Sequence, residues 1–359
     1  MTRSLAGPLQ FSGVGDTVVV GGNTTSECQV IGMKIVVSEW MEEVGLRRLA
    51  EYGQVMYDPD LWRSRYLWNE VREAEALIVR NQIQVTDELL GAGERLRVIG
   101  RLGVGLDNID LEAAGRRGVQ VVVARNANAI SVAEYVFSAM LHWIRPLLEA
   151  SEDVKTGHWN RRRFTTGELY GKTLGLVGLG EIGTRLAIRA KCFGMQVTAY
   201  DPYVAPFDMP PADLGVSMCP SLEDLLASAD FVSLHLPLTR ETYHMINYDA
   251  FARMKPTAVL INTARGGVVD EEALVTALRQ GLLGGAVLDV LEHEPPDGSP
   301  LFHEERVILT PHIAGLTEES QDRVSRLVAE EVIRVLRGER SNCVVRGISG
   351  VSNDQRGSR

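Results

Sequence analysis

Cysteine is scarce in this chain of 359 residues, long apolar runs are absent, and positive charge is in deficit. The four cysteines, Cys28, Cys192, Cys219 and Cys343, lie far apart, with no C-x-x-C pair and no metal-ligand spacing. That excludes a disulfide framework and a thiolate metal site, and suits reduced thiols in a cytoplasmic protein. No apolar run approaches the roughly 18 residues of a membrane span. The first 32 residues show neither a continuous apolar core nor a cleavage site, so no secretory leader is expected. The formal net charge of −10 gives no overall attraction for nucleic acid or anionic membrane, and neither is expected as a partner. A local basic pocket is still compatible with it. There is no low-complexity tract and no short repeat. What is present is an ordinary composition, 45% hydrophobic and 23% charged, in a chain long enough for two domains with substantial cores.

A flexible, Gly-, Ser- and Thr-rich lead-in is expected over 1–32, and Met33 is a candidate natural start. From Lys34, β-branched runs alternate with amphipathic segments: "KIVVS", "EALIVR", "LRVIGRLGVG" and "VQVVVA" are separated by helical stretches such as "MEEVGLRRLAEYG". This is βαβ rhythm, and it implies a mostly parallel sheet. A long apolar-periodic segment runs from Ser131 to about Gly157, with Ser131 and Glu134 spaced as a capping box and Pro146 expected to kink or split the helix. A second α/β run opens at Thr173, with strands expected at "TLGLV", "VTAYD", "FVSLHL", "AVLIN", "GAVLDV" and "VILT". It closes on the helix "EESQDRVSRLVAEEVIRVLRG". The residues after that helix read as a mostly polar tail.

"GLVGLGEIG" sets Gly178, Gly180 and Gly183 in G-x-G-x-x-G spacing. Alone this is a weak signal. Here it follows an apolar strand, opens a helix, and precedes a strand that ends at Asp201, close to the roughly 20-residue offset of a ribose-binding acid. The glycines permit the tight turn, the approach of a pyrophosphate and close helix–strand packing. The helix N-terminus then offers amides and a positive dipole to phosphate. Asp201 accepts ribose hydroxyls and repels a 2′-phosphate, so NAD is favoured over NADP. A second glycine pair, Gly103 and Gly105, has Asn108 where a third glycine would stand. It is either an anion-binding concavity or a structural turn.

The later segments "NTARGGVVDEEAL", "GAVLDVLEHEPP" and "LTPHIAG" carry Arg265, Glu294 and His312. Singly, each has an ordinary structural reading: an ion-pair residue, a solvated loop acid, a strand-end packing residue. Together, in this order behind a dinucleotide fingerprint, they resemble the D-isomer-specific 2-hydroxyacid dehydrogenases, in the branch of phosphoglycerate dehydrogenase and the glyoxylate/hydroxypyruvate reductases. The resemblance runs from about Lys34 to Gly338. It implies that Arg265 binds substrate, His312 is the acid/base, Glu294 is its partner, and Asp289 meets the nicotinamide carboxamide. It adds Glu181, Ile182, His235, Pro237, Thr263 and Ala264 to the cofactor contacts, although a core role for His235 is also open. Val104 and Gly105 match the loop that holds a substrate carboxylate, and Asn126 and Asn128 stand where the family has asparagines. No metal is implied.

The chemistry agrees with these roles. Reducing a 2-keto acid needs a hydride from the nicotinamide and a proton for the carbonyl oxygen. Histidine suits the proton, and a neighbouring carboxylate favours its charged form and fixes its tautomer. Arginine suits the grip because its planar fork holds two oxygens and stays charged. His293, beside Glu294, is expected to face solvent.

Three departures from the family pattern bear on substrate: Asn81 after Arg80, Arg125 in "ARNAN", and the run Arg161, Arg162, Arg163. Arg80, Arg125 and one of the three are expected to form a second cationic site for a charged group at C3, as in 3-sulfolactate-like or 3-phosphoglycerate-like acids. A solvated basic surface is the plain alternative. The expected architecture is two Rossmann-like doubly wound α/β domains with the cofactor cleft between them. A substrate domain spans 33–127 plus 317–345, an NAD domain 128–316, and a polar tail 346–359, with no appended regulatory domain. The apolar 131–157 region, by resemblance, builds a homodimer. Other readings are a glyoxylate/hydroxypyruvate reductase and a non-catalytic NAD-sensing corepressor or scaffold. A formate-oxidising relative is disfavoured, because that branch pairs its histidine with glutamine and this chain has Glu294.

Overall fold

The computed structural model describes Val18–Val20 and residues 32–345. The rest of the lead-in and the tail over 346–359 lie outside the described residues. The chain divides into two compact units, Met1–Asn128 with Glu318–Arg359, and Ala129–Thr317. No helix among the described residues is long and apolar enough to cross a membrane.

The first unit holds a six-stranded sheet: β1 (Val18–Val20), β2 (Lys34–Val37), β3 (Gln54–Tyr57), β4 (Ala76–Val79), β5 (Val98–Arg101) and β6 (Gln120–Val123). Its order is β1-β3-β2-β4-β5-β6, parallel except for β1, which runs antiparallel at the edge. Strands covered on both faces read as continuous apolar runs. Accordingly Ile35 and Val37 point into one core, Val36 points into the other, and all three are fully buried.

The final helix, Glu318–Leu336, packs back on this sheet. A Cβ at Gly100 of β5 would lie 2.7 Å from Val328 and 2.8 Å from Val332, so the helix rests directly on the strand. Burying each of those valines contributes about 2 kcal/mol. That contact places a helix from the far end of the chain in the first unit.

Two expectations are corrected here. The flexible lead-in does not hold for Val18–Val20, a β-branched triplet that pairs with the open edge of β3, Val18 opposite Tyr57. The polar tail does not begin directly after the last helix. Val345 donates its N–H to Val121 O at 2.9 Å, and Cys343 is buried in the core.

The second unit holds a seven-stranded parallel sheet: β7 (Thr173–Val177), β8 (Gln196–Tyr200), β9 (Ser217–Met218), β10 (Phe231–Leu234), β11 (Val259–Asn262), β12 (Gly285–Leu288) and β13 (Val307–Leu309). The order is β13-β12-β11-β10-β7-β8-β9. Strand order therefore reverses beside β7, and in open α/β sheets ligands bind at the carboxyl ends of strands at such a switch point.

The helix Ala129–Ile144 packs on this sheet through Ala133, Val136, Phe137 and Met140, at i, i+3, i+4 and i+7. It stops before Pro146, which lacks an N–H and restricts the residue ahead of it. A separate helix, Leu147–Lys155, follows with Pro146 as its N-cap, so the expected split occurs. The capping box does not form. The helix begins at Ala129, which puts Ser131 inside its first turn, buried, with Oγ 3.0 Å from Thr317 Oγ1.

Candidate active site

Because the second sheet is parallel, the loops after β7, β8, β10, β11, β12 and β13 leave one rim. They carry Gly178–Gly183, Asp201, His235 and Pro237, Thr263–Arg265, Asp289–Glu294 and His312. The whole expected cofactor and catalytic set is thus gathered on one edge. Gly178 has φ +96°, and a Cβ there would lie 2.3 Å from His235 O, so only glycine serves both the turn and the contact. At Gly180 nothing lies within 4 Å of the Cβ position, which leaves open space at the N-terminus of the helix Glu181–Cys192. Glu181 and Ile182 begin that helix, and Gly183 closes on the Gly178 carbonyl, 2.4 Å from its Cβ position.

Asp201 accepts the Leu179 N–H on Oδ2 and the Tyr203 N–H on Oδ1, both at 2.9 Å. A carboxylate oxygen has two lone-pair sites, so each keeps one for a ribose hydroxyl. Two buried polar atoms on the rim, Thr263 Oγ1 and His235 Nδ1, make no hydrogen bond among the described residues. Buried groups of this kind normally have a partner, and a bound dinucleotide offers one. The His235 Nε2 lies 2.8 Å from Ser233 Oγ, and burial pushes the ring down to about 3, so it is neutral. An open cradle, a free ribose acceptor and two orphaned polar atoms fit NAD.

His312 Nδ1 stands 2.7 Å from Glu294 Oε2, and Glu294 Oε1 accepts the Leu291 N–H at 3.1 Å. Burial works to raise the Glu294 carboxyl. The His312 hydrogen bond and charge, the Leu291 amide and the Arg265 charge outweigh it and hold the carboxyl below the usual carboxylate range. An ionised carboxylate only accepts, so Nδ1 carries the hydrogen and Nε2 is the nitrogen left for substrate. Arg265 precedes Gly266, whose Cβ position falls 1.9 Å from Leu291 C and O. Only glycine lets the arginine loop lie directly on the backbone that leads to Glu294. His293 is exposed, as expected.

His312 has φ +56°, in the left-handed region that few non-glycine residues enter. Asp289, 1% exposed, holds that loop. Its Oδ1 accepts the Thr310 hydroxyl at 2.5 Å and the Ile313 N–H at 2.8 Å, and its Oδ2 accepts the Ala314 N–H at 2.7 Å. The family resemblance suggested only a carboxamide contact for Asp289. The anchoring role escaped sequence reasoning because its partners lie 21 to 25 residues downstream.

On the first unit, the loops after β4, β5 and β6 also share a rim. They carry Arg80 and Asn81, Gly103 to Gly105, and Arg125. Glu39, which follows β2, was not anticipated. It is 2% exposed, and its carboxylate accepts the backbone N–H of Arg80 at 2.7 Å, Asn81 at 3.2 Å, Gln82 at 2.9 Å and Ile83 at 3.4 Å. Arg80 lies over the Trp40 ring at 4.6 Å and donates from Nη2 to Gln321 Oε1 at 2.7 Å, while its Nε is buried with no hydrogen bond among the described residues. Burial pushes the Arg80 guanidinium below its ordinary value, opposed by the charges of Glu39 and Glu42.

Asn108 has a clamping job. Its Nδ2 donates to Arg80 O at 3.2 Å and Ile83 O at 2.7 Å. Gly103 O accepts the Ala124 N–H at 2.8 Å, tying the loop of exposed Val104 and half-buried Gly105 to the one bearing exposed Arg125. Asn126 has φ +63°. Within the arginine run, Arg163 Nη1 lies 3.6 Å from the buried Asp153 of the second unit.

Residues 137–314 match the family model "D-isomer specific 2-hydroxyacid dehydrogenase, NAD binding domain". The chain is 43% identical over 313 residues to the D-3-phosphoglycerate dehydrogenase of Methanocaldococcus jannaschii, over 87% of this chain and 59% of that protein. It is 41% identical over 322 residues to the Synechocystis sp. enzyme of the same name, over 89% and 57%. The chain thus spans less than two thirds of the length of these relatives. A solved structure of D-lactate dehydrogenase from Aquifex aeolicus, complexed with NAD and lactic acid, matches with a TM-score of 0.75 and 32% identity, over 85% of this chain and 96% of that one. The dinucleotide cradle, the Arg265–Glu294–His312 rim and these matches agree: the chain belongs to the D-isomer-specific 2-hydroxyacid dehydrogenases, and its cofactor is NAD.

Proposed function

We propose that the chain interconverts a D-type 2-hydroxy acid and its 2-keto acid, and that this acid carries an anionic group at C3, 3-phosphoglycerate being the leading case. The observation that carries the chemistry is the 2.7 Å pair of His312 and Glu294, on the rim that also bears Arg265 and the cradle. The Gly178–Gly183 turn and Asp201 would hold NADH, which when bound would supply the hydride. His312 Nε2 gives the proton to the carbonyl oxygen in reduction and takes it back in oxidation. Glu294 holds the ring through Nδ1 and balances its charge. Arg265 holds carboxylate and carbonyl oxygens through its planar fork.

Support for the C3 anion comes from Arg80, with its buried and unbonded Nε, and from exposed Arg125, both on the first unit's rim. Relatives named D-3-phosphoglycerate dehydrogenase point the same way. A sulfonate substrate finds no support among these relatives. The apolar side chains Leu147 and Leu148, 71% and 75% exposed, support a homodimer face on the second unit.

The test is NADH oxidation against phosphohydroxypyruvate, sulfopyruvate, hydroxypyruvate, glyoxylate and pyruvate. Phosphohydroxypyruvate should be preferred, and Arg125→Ala should raise its KM about tenfold without changing that for glyoxylate, the loss of one charge-assisted contact. Preference for glyoxylate or hydroxypyruvate would reassign the substrate to the reductase class. No turnover at all would leave the NAD-sensing reading.

A further inference from the structure

Tyr135 takes no part in the chemistry above, yet its hydroxyl is committed to the loop that carries His312. It stands on the helix Ala129–Ile144, with its phenol oxygen 2.5 Å from Thr310 Oγ1. Thr310 Oγ1 in turn donates to Asp289 Oδ1 at 2.5 Å. A hydroxyl has one proton to give, and that of Thr310 goes to the carboxylate, so Tyr135 is the donor to Thr310. The result is a one-way chain: Tyr135 O–H to Thr310 O–H to the Asp289 carboxylate, which also receives the amides of Ile313 and Ala314.

These bonds grip both flanks of His312. A left-handed backbone at a residue with a Cβ persists only where its surroundings impose it. A second hydroxyl pair, Ser131 Oγ and Thr317 Oγ1 at 3.0 Å, ties the same helix to the far end of the same loop. Burial raises the Tyr135 phenol above its ordinary value; the Thr310 bond opposes this and the Asp289 charge adds to it, so the proton stays on Tyr135 at neutral pH.

We propose that Tyr135 is a positioning residue for the proton-transfer step: through Thr310 and Asp289 it holds the left-handed turn that presents His312. This rests on His312 being the proton donor. Phenylalanine at 135 keeps the ring and removes only the donated hydrogen. A small misplacement of a catalytic group lowers the rate of the chemical step more than it lowers binding.

The experiment uses the full chain with NADH and phosphohydroxypyruvate, and compares Tyr135→Phe, Thr310→Val, Thr310→Ser, the double variant Tyr135→Phe/Thr310→Val, and His312→Asn. Steady-state kcat and KM, the NADH dissociation constant by fluorescence titration, and Tm are read for each. Tyr135→Phe is expected to lower kcat about tenfold with KM and NADH affinity within about twofold of the parent. Thr310→Val should do as much and the double variant no more, since both break one chain, while Thr310→Ser should retain parental kcat.

The proposal is overturned if Tyr135→Phe keeps parental kcat, if the two losses multiply, if Tm alone falls, or if NADH affinity falls while kcat holds. Parental kcat in His312→Asn would instead sink the acid/base reading itself. An inactive His312→Asn beside a fully active Tyr135→Phe sinks only the positioning role.

Discussion

Replacing Glu39 by glutamine tests how the first unit presents Arg80. In the parent, Oε1 takes the amides of Arg80 at 2.7 Å and Ile83 at 3.4 Å, and Oε2 takes those of Asn81 at 3.2 Å and Gln82 at 2.9 Å. However the new amide is turned, one pair keeps an oxygen, now neutral, and the other pair faces an NH2 donor. Hydrogen bonds to a charged group contribute about 1.5–3 kcal/mol each, and unsatisfied buried donors cost similar amounts. Counting the long Ile83 contact for little, the loss comes to about 3 kcal/mol. That is a large share of the roughly 5–15 kcal/mol that stabilises a typical domain.

For a unit of this size, Tm should fall by roughly 6–12 °C, read by calorimetry or circular dichroism. Well below that transition, KM for a C3-charged keto acid should rise roughly tenfold while kcat changes little, because the loop that sets Arg80 loosens and the His312 rim is untouched. A destabilisation under about 1 kcal/mol together with an unchanged KM would refute the reasoning, since it would mean that the four amides do not depend on this carboxylate.

Asp230 offers a pH test. Burial works to raise its carboxyl, but the Thr173 amide at 2.8 Å, the Lys255 ammonium at 2.9 Å and the Lys172 charge outweigh it and leave it below the usual range. A depressed folded-state value means that the stabilisation is present above the ordinary carboxylate range and is lost as pH falls through the lowered one. Asp230→Asn should therefore cost about 1 kcal/mol at pH 7, with the gap in Tm closing on acidification. A gap independent of pH would contradict that account. Leu148→Asp, at a side chain 75% exposed, should leave Tm nearly unchanged and shift a dimer toward monomer in light scattering. A parent that is itself monomeric at micromolar concentration removes the dimer proposal.

The strands most legible in the sequence are those buried on both faces. "ALIV" of β4, "FVSL" of β10 and "VLIN" of β11 are fully buried, and an apolar run is what such burial demands. β3, "QVMY", escaped notice because it opens on an exposed glutamine and ends on a half-buried tyrosine, which leaves only two buried apolar residues between them. β1 was missed because its β-branched run is only three residues long and needs its pairing with β3 to stand as a strand. The capping box at Ser131 matched a local rule, but packing began the helix at Ala129 and sent the Ser131 hydroxyl to Thr317.

The sequence by itself determined the two parallel α/β cores, the cofactor fingerprint from Gly178 to Asp201, and the order Arg265, Glu294, His312. Those signals lie in contiguous residues, where glycine spacing, apolar runs and side-chain chemistry act locally. Only the tertiary structure decided what holds these groups in place. Glu39 meets the Arg80 loop across more than 40 residues, and Tyr135 meets Thr310 across 175. A buried carboxylate or hydroxyl satisfies itself with whatever donor or acceptor folding brings within about 3 Å, and the linear order of the chain does not name that partner.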